Sequence, residues 1–89
     1  ALSLLAVVAA IRAAGAADAH VALLDGALAA WVVGGPSDDV LRTALGEVLP
    51  AWSMPSVVLR PGALPRDERG KVDVAALRAM VVNAYDAGE

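Results

Sequence analysis

The chain is 89 residues long, 58% apolar, free of cysteine, and carries a net charge of −3. That length fits one small domain, which buries only about 60–65% of its extended surface on folding and so has a thin stability margin. The composition excludes disulfides, thiolate metal sites and thiol nucleophiles. His20 is the only histidine, too few ligands for an ordinary zinc site, so no metal is expected. An acidic balance without a basic face argues against nucleic acid as a partner.

The first apolar run, ALSLLAVVAAI, ends at Arg12. It is too short to span a bilayer and has no basic region ahead of it, so neither a membrane anchor nor a signal peptide is expected. The lack of cysteine fits a cytoplasmic location. The spacing predicts a helix to about Ala14, with Leu4, Leu5, Val8 and Ile11 on one face and Gly15 as its C-terminal cap. With no initiating Met, Ala1 reads as a cut, and the chain as part of something longer.

Two short apolar runs in HVALLDGALAAWVV meet at Asp25-Gly26, a strong hairpin signal. Strands are expected over Ala19–Leu24 and Ala27–Val33. GGPS breaks the chain. Ser37 then offers an N-cap, and Asp38 and Asp39 favour the first turn of a helix. Its inward face is expected to be Val40, Leu41, Ala44, Leu45 and Val48, and Pro50 ends it. A third strand is expected from Ser56 to Arg60, between Pro55 and Pro61. Residues 62–70 form a loop rich in charge, Pro and Gly. Asp73 caps a last helix, with Val74, Leu77, Met80 and Val81 turned inward. Trp31 and Trp52 are expected in the core. Interleaved strands and helices give an α+β fold, a small three-stranded sheet with packed helices.

Few residues suggest chemistry. The Asp38-Asp39 pair is accounted for by the helix start, and His20 by a strand start. There is no supported Ser/His/Asp set and no glycine-rich phosphate loop after a strand. Lys71 stands out as the only lysine beside six arginines. A lysine ammonium is a compact charge on a flexible stem, suited to a carboxylate or phosphate oxygen. Gly70 allows close backbone approach and positive φ. Spacing alone favours a plain polar turn ahead of a helix; the other reading is a cation that meets a ligand.

The stretch LPRDERGKVDVAAL resembles the C-terminal lysine motif of adenylate-forming enzymes, the group that includes peptide-synthetase adenylation domains and acyl-CoA synthetases. Leu64, Pro65, Gly70, Lys71, Val72, Asp73, Ala76 and Leu77 match at the family's spacing. LPAWSMP resembles a second family motif, Leu-Pro-x-Tyr-Met-x-Pro, through Leu49, Pro50 and Pro55. Trp52 stands for the Tyr, Ser53 for the Met, and Met54 comes one place late. Val74 stands where the family usually has Arg. The helix start at Ser37–Arg42 and the order of elements also agree.

The resemblance implies a C-terminal lid subdomain covering residues 1–89, without the family's hinge motif and large N-terminal subdomain. It implies Lys71 as the catalytic cation, with Gly70 and Arg69 on the loop that approaches substrate and nucleotide. ATP and Mg2+ would be held mainly by the N-terminal subdomain. CoA or the phosphopantetheine of a carrier protein would accept the acyl group. The Gly-Lys-Val-Asp form leans towards peptide-synthetase enzymes of amino or aryl acids, and the composition towards GC-rich bacterial DNA. The isolated chain, having no nucleotide pocket, is expected to be inactive. Two alternatives remain open: a non-catalytic interaction module of the same fold, and an acyl carrier protein. The second lacks a serine in the Asp-Ser-Leu context that would carry pantetheine.

Overall fold

A computed structural model describes residues 4–24 and 26–87, with side chains through Val82. Its elements are α1 (Leu4–Ala13), β1 (Asp18–Leu24), β2 (Ala27–Val33), α2 (Asp38–Val48), a 3-10 turn (Ala51–Ser53), β3 (Val57–Leu59) and α3 (Val74–Ala87). The sheet order is β1-β2-β3, antiparallel between the first two strands and parallel between the last two. This is the expected α+β class.

The central strand, ALAAWVV, is buried on both faces, and its side chains alternate between two cores. Leu28, Ala30 and Val32 pack with Val7 and Ile11 of α1 and with Leu41 and Leu45 of α2. Ala29 and Trp31 pack on the opposite face with Leu64 and with Leu77 and Val81 of α3. The sheet thus carries two helices on one side and one on the other. Alanines on β2 keep these layers close, as a chain without Phe requires.

Leu24 pairs with Ala27, leaving a two-residue connection. Asp25 lies outside the described residues, and Gly26 has φ +81°, the left-handed value such a turn needs. Helix α1 closes with the Gly15 amide donating to Arg12 O at 3.0 Å and the Ala16 amide to Ile11 O at 3.4 Å. Those two bonds make a Schellman cap. Ser37 caps α2, its Oγ accepting from the Val40 amide at 3.4 Å. Asp73 caps α3, its Oδ1 accepting from the Ala76 amide at 3.1 Å.

The buried stripes are narrower than the sequence pattern suggests. In α1 they are Val7 and Ile11, leaving Leu4 and Leu5 exposed. In α2, Leu41 and Leu45 face inward, with Leu49 buried just past its end, whereas Val40 and Val48 are exposed. In α3, Leu77 and Val81 are buried, Met80 packs at the edge and Val74 is exposed. A sheet of three strands is too narrow to cover more than one stripe of each helix. Trp52, expected inside, is 72% exposed. The 3-10 turn points Ser53 inward, where its Oγ donates to Pro50 O at 2.9 Å, and Met54 fills the adjoining core. The indole just before them is turned out to solvent.

Candidate functional site

Residues 65–73 project from the body as a tight hairpin. Its neck is closed by an antiparallel bridge between Arg66 and Val72, and by the Asp73 amide donating to Pro65 O at 2.8 Å. At the tip, the Gly70 amide donates to Asp67 O at 3.0 Å and the Asp67 amide to Lys71 O at 2.8 Å. This is a type I turn followed by a left-handed residue, Gly70 at φ +84°. The Asp67 carboxylate locks it from within. Its Oδ1 accepts from the Arg69 amide at 2.8 Å and from the Lys71 amide at 3.1 Å.

The neck is held by apolar packing on both sides of the loop. Leu64 before it and Leu77 after it belong to the cluster around Trp31. Trp31 Nε1 also donates to Leu77 O at 3.1 Å, fixing the first turn of α3 to the central strand.

Arg69, Gly70 and Lys71 therefore sit together, all exposed, on one ordered turn. Arg69 leans back on its own loop, 3.7 Å from Asp67 Oδ2. The other arginines of the region are also engaged: Arg12 and Arg66 with Asp18, and Arg60 with Asp38 and the Pro36 carbonyl. Among the described residues, no hydrogen bond or ion pair engages the Lys71 ammonium. Its backbone is fixed and its charge is unspent. Around Gly70 a Cβ would meet nothing within 4 Å, so the face beside the lysine is open.

The turn is convex. A groove of about 610 Å³ lies elsewhere, between the β1–β2 connection and α3, lined by Leu24, Val57, Arg78 and Val81 among others, and no residue of the lysine turn borders it. Among the described residues, no group of three or more His, Cys, Asp or Glu could hold a metal, and no helix is long and apolar enough to cross a membrane. His20 lies against Trp31 with ring centroids 5.8 Å apart, a packing role. Asp38 and Asp39 stay at the start of α2. The motif around Lys71 did not single out Asp67 or Asp18. Asp67 had a visible signal: Asp at the first and Gly at the fourth position of a type I turn. Asp18, distant in sequence from Arg66, had none.

No family model and no curated protein matches the sequence. Solved structures do. MatB from Rhodopseudomonas palustris with ATP bound superposes with a TM-score of 0.82 at 22% identity, over 94% of this chain and 19% of that one. NpsA of Klebsiella oxytoca, in complex with 3-hydroxyanthranilyl-AMSN, gives 0.78 at 24%, over 91% and 18%. The Mycobacterium tuberculosis fatty acyl CoA synthetase gives 0.73 at 24%, over 83% and 16%. The chain thus spans less than a fifth of the length of each of these structures, and identities this low speak for the fold. The neighbours are adenylate-forming enzymes. Three helices on a small mixed sheet, with this order and these superpositions, give the chain the fold of the C-terminal subdomain of adenylate-forming enzymes.

Proposed function

We propose that this chain is the C-terminal lid of an ATP-dependent enzyme that adenylates a carboxylic acid, and that Lys71 is its catalytic cation. The observation that carries this reading is the Lys71 turn: a backbone locked by Asp67, with an exposed ammonium that no other described residue engages. A lysine held this way is arranged for a partner on a facing surface.

In acyl-adenylate formation an anionic carboxylate attacks the α-phosphorus of ATP. A bond forms from carboxylate oxygen to phosphorus, and pyrophosphate leaves. Two like charges about 4 Å apart repel by about 4 kcal/mol at an effective dielectric of about 20. A lysine reaching between them offsets that repulsion and stabilises charge growing on the phosphate oxygens. The second half-reaction needs the opposite. A thiol must reach the acyl carbon, so the cation must withdraw. A lysine on the convex tip of a small lid meets both demands if the lid rotates between two poses.

An exposed ammonium fits a phosphate oxygen, but nothing else on the turn is arranged around a nucleotide. ATP and Mg2+ would be held mainly by a large N-terminal subdomain, the lid's first partner, where the metal would neutralise phosphate charge. Gly70 and Arg69 form the edge that approaches substrate and nucleotide. The acceptor thiol belongs to CoA or to a phosphopantetheinyl carrier protein. The Gly-Lys-Val-Asp form favours an amino or aryl acid and a carrier protein. The three-stranded sheet leaves no room for the acyl carrier alternative, which is an all-helical fold.

The test is acid-dependent exchange of pyrophosphate into ATP by the adenylating protein that carries this chain, across a panel of amino and aryl acids. Lys71→Ala should slow exchange by roughly 10²–10³, the loss of one preorganised donor. Thioester formation from preformed acyl-adenylate should change far less. Equal loss in both steps would remove the assignment, and no exchange in either protein would favour a non-catalytic interaction module.

A further inference from the structure

The bonds that Asp67 makes fix the shape of the lysine turn but not its direction. Glu68, Arg69, Gly70 and Lys71 are all exposed, so no apolar contact aims the tip. The neck bonds at Pro65, Arg66, Val72 and Asp73 hold only the base. One side chain spans both: Arg66 donates through Nη1 to the Gly70 carbonyl at 3.1 Å, the carbonyl that immediately precedes Lys71, and through Nη2 to Asp18 Oδ2 at 3.0 Å. Asp18 is the first residue of β1. Its other oxygen, Oδ1, accepts from Arg12 Nη2 at 2.6 Å, and Arg12 lies in the last turn of α1. Asp18 is thereby gripped from the far layer of the fold while it grips the guanidinium that holds the turn.

We infer that Asp18 and Arg66 are positioning residues for Lys71, a brace that sets the angle at which the lid presents its ammonium. The inference rests on the catalytic reading of Lys71 above. Exposed ion pairs add little to stability, so the value of this one is directional. A guanidinium is a planar fork that can hold two acceptors in fixed directions, which a lysine ammonium at position 66 could not do. Transition-state stabilisation is steep in position: a misplacement of about 1 Å can cost up to about 10²-fold in rate. A brace with little weight in folding can therefore carry weight in turnover.

Two measurements test it, one independent of activity. On this chain, 15N relaxation of the amides from Glu68 to Val72 should report a loosened turn in Asp18→Asn and in Arg66→Lys, with the amides of β2 and α3 unmoved and most of the order recovered in Asp18→Glu. Arg66→Gln, on an exposed side chain, covers the case in which Asp18→Asn disturbs β1. In the adenylating protein that carries the chain, Asp18→Asn should lower pyrophosphate exchange about 10-fold, with thioester formation from preformed acyl-adenylate changed less than about two-fold. A turn as ordered in the variants as in the wild type overturns the brace, whatever the protein does. A loosened turn with undiminished exchange, in a protein where Lys71→Ala is defective, overturns the inference alone. Exchange untouched by Lys71→Ala overturns the catalytic reading, and the inference falls with it.

Discussion

The indole of Trp31 donates to the Leu77 carbonyl at 3.1 Å, and both residues are wholly buried. That contact joins the middle of the sheet to the first turn of α3, immediately past the lysine hairpin. Trp31→Phe keeps an aromatic ring but removes the donor and part of the volume. It should lower stability by about 2 kcal/mol, read as a shifted urea midpoint at unchanged slope.

Lys71 should be nearly silent in the same assay. Its side chain is exposed and, among the described residues, unengaged, so Lys71→Ala should stay within about 0.5 kcal/mol of wild type. Asp67→Ala should differ, because two amides lose their acceptor. Hydrogen exchange at the Arg69 and Lys71 amides should quicken about tenfold or more, matching the loss of roughly 1–2 kcal/mol of local bonding. Asp67→Asn, which keeps an acceptor oxygen, should restore most of the protection.

Gly35 sits at φ +89°, and a Cβ there would lie 2.9 Å from Ala16 Cα and 3.0 Å from Ala16 N. Both atoms are backbone, so relief requires moving the segment that links α1 to β1. Gly35→Ala should cost about 2 kcal/mol or more, combining left-handed strain with the clash. Gly70→Ala has a similar φ but open space around it, so only the strain of about 1–2 kcal/mol should appear. Thermal unfolding of the two variants side by side separates the terms.

The two tryptophans should be optically distinct. Trp31 is sealed in the core and Trp52 is 72% exposed. Trp52→Phe should remove the red-shifted, acrylamide-quenchable part of the emission and leave the urea midpoint unchanged. A blue-shifted residue at position 52 would contradict the outward turn of the 3-10 segment.

Much of this fold was legible in the sequence because its punctuation is local. Ser37, Asp73, Gly15 and the pair at 25–26 each mark an element boundary through chemistry confined to a few residues. What failed was the width of the helix faces. Periodicity marks Val40, Val48 and Val74 as apolar positions, but whether each is covered depends on how many strands lie beneath. Trp52 failed similarly: size and apolarity argue for burial, whereas a tight turn with Ser53 and Met54 already facing in leaves no place for an indole. In the candidate site, Lys71 and Gly70 were found through their motif. The Asp18–Arg66 contact spans 48 positions and has no trace in spacing.

Leu64 and Leu77 close the lysine hairpin from both ends against one tryptophan, while every residue from Glu68 to Lys71 stands in solvent. The fold and the proposed chemistry are thus written in different residues. Selection acting only on solubility or folding would be blind to the Lys71 side chain, and this fold could lose its lysine while keeping its stability. The reverse also holds: the tip can be rewritten to suit a new facing surface without renegotiating the core that carries it.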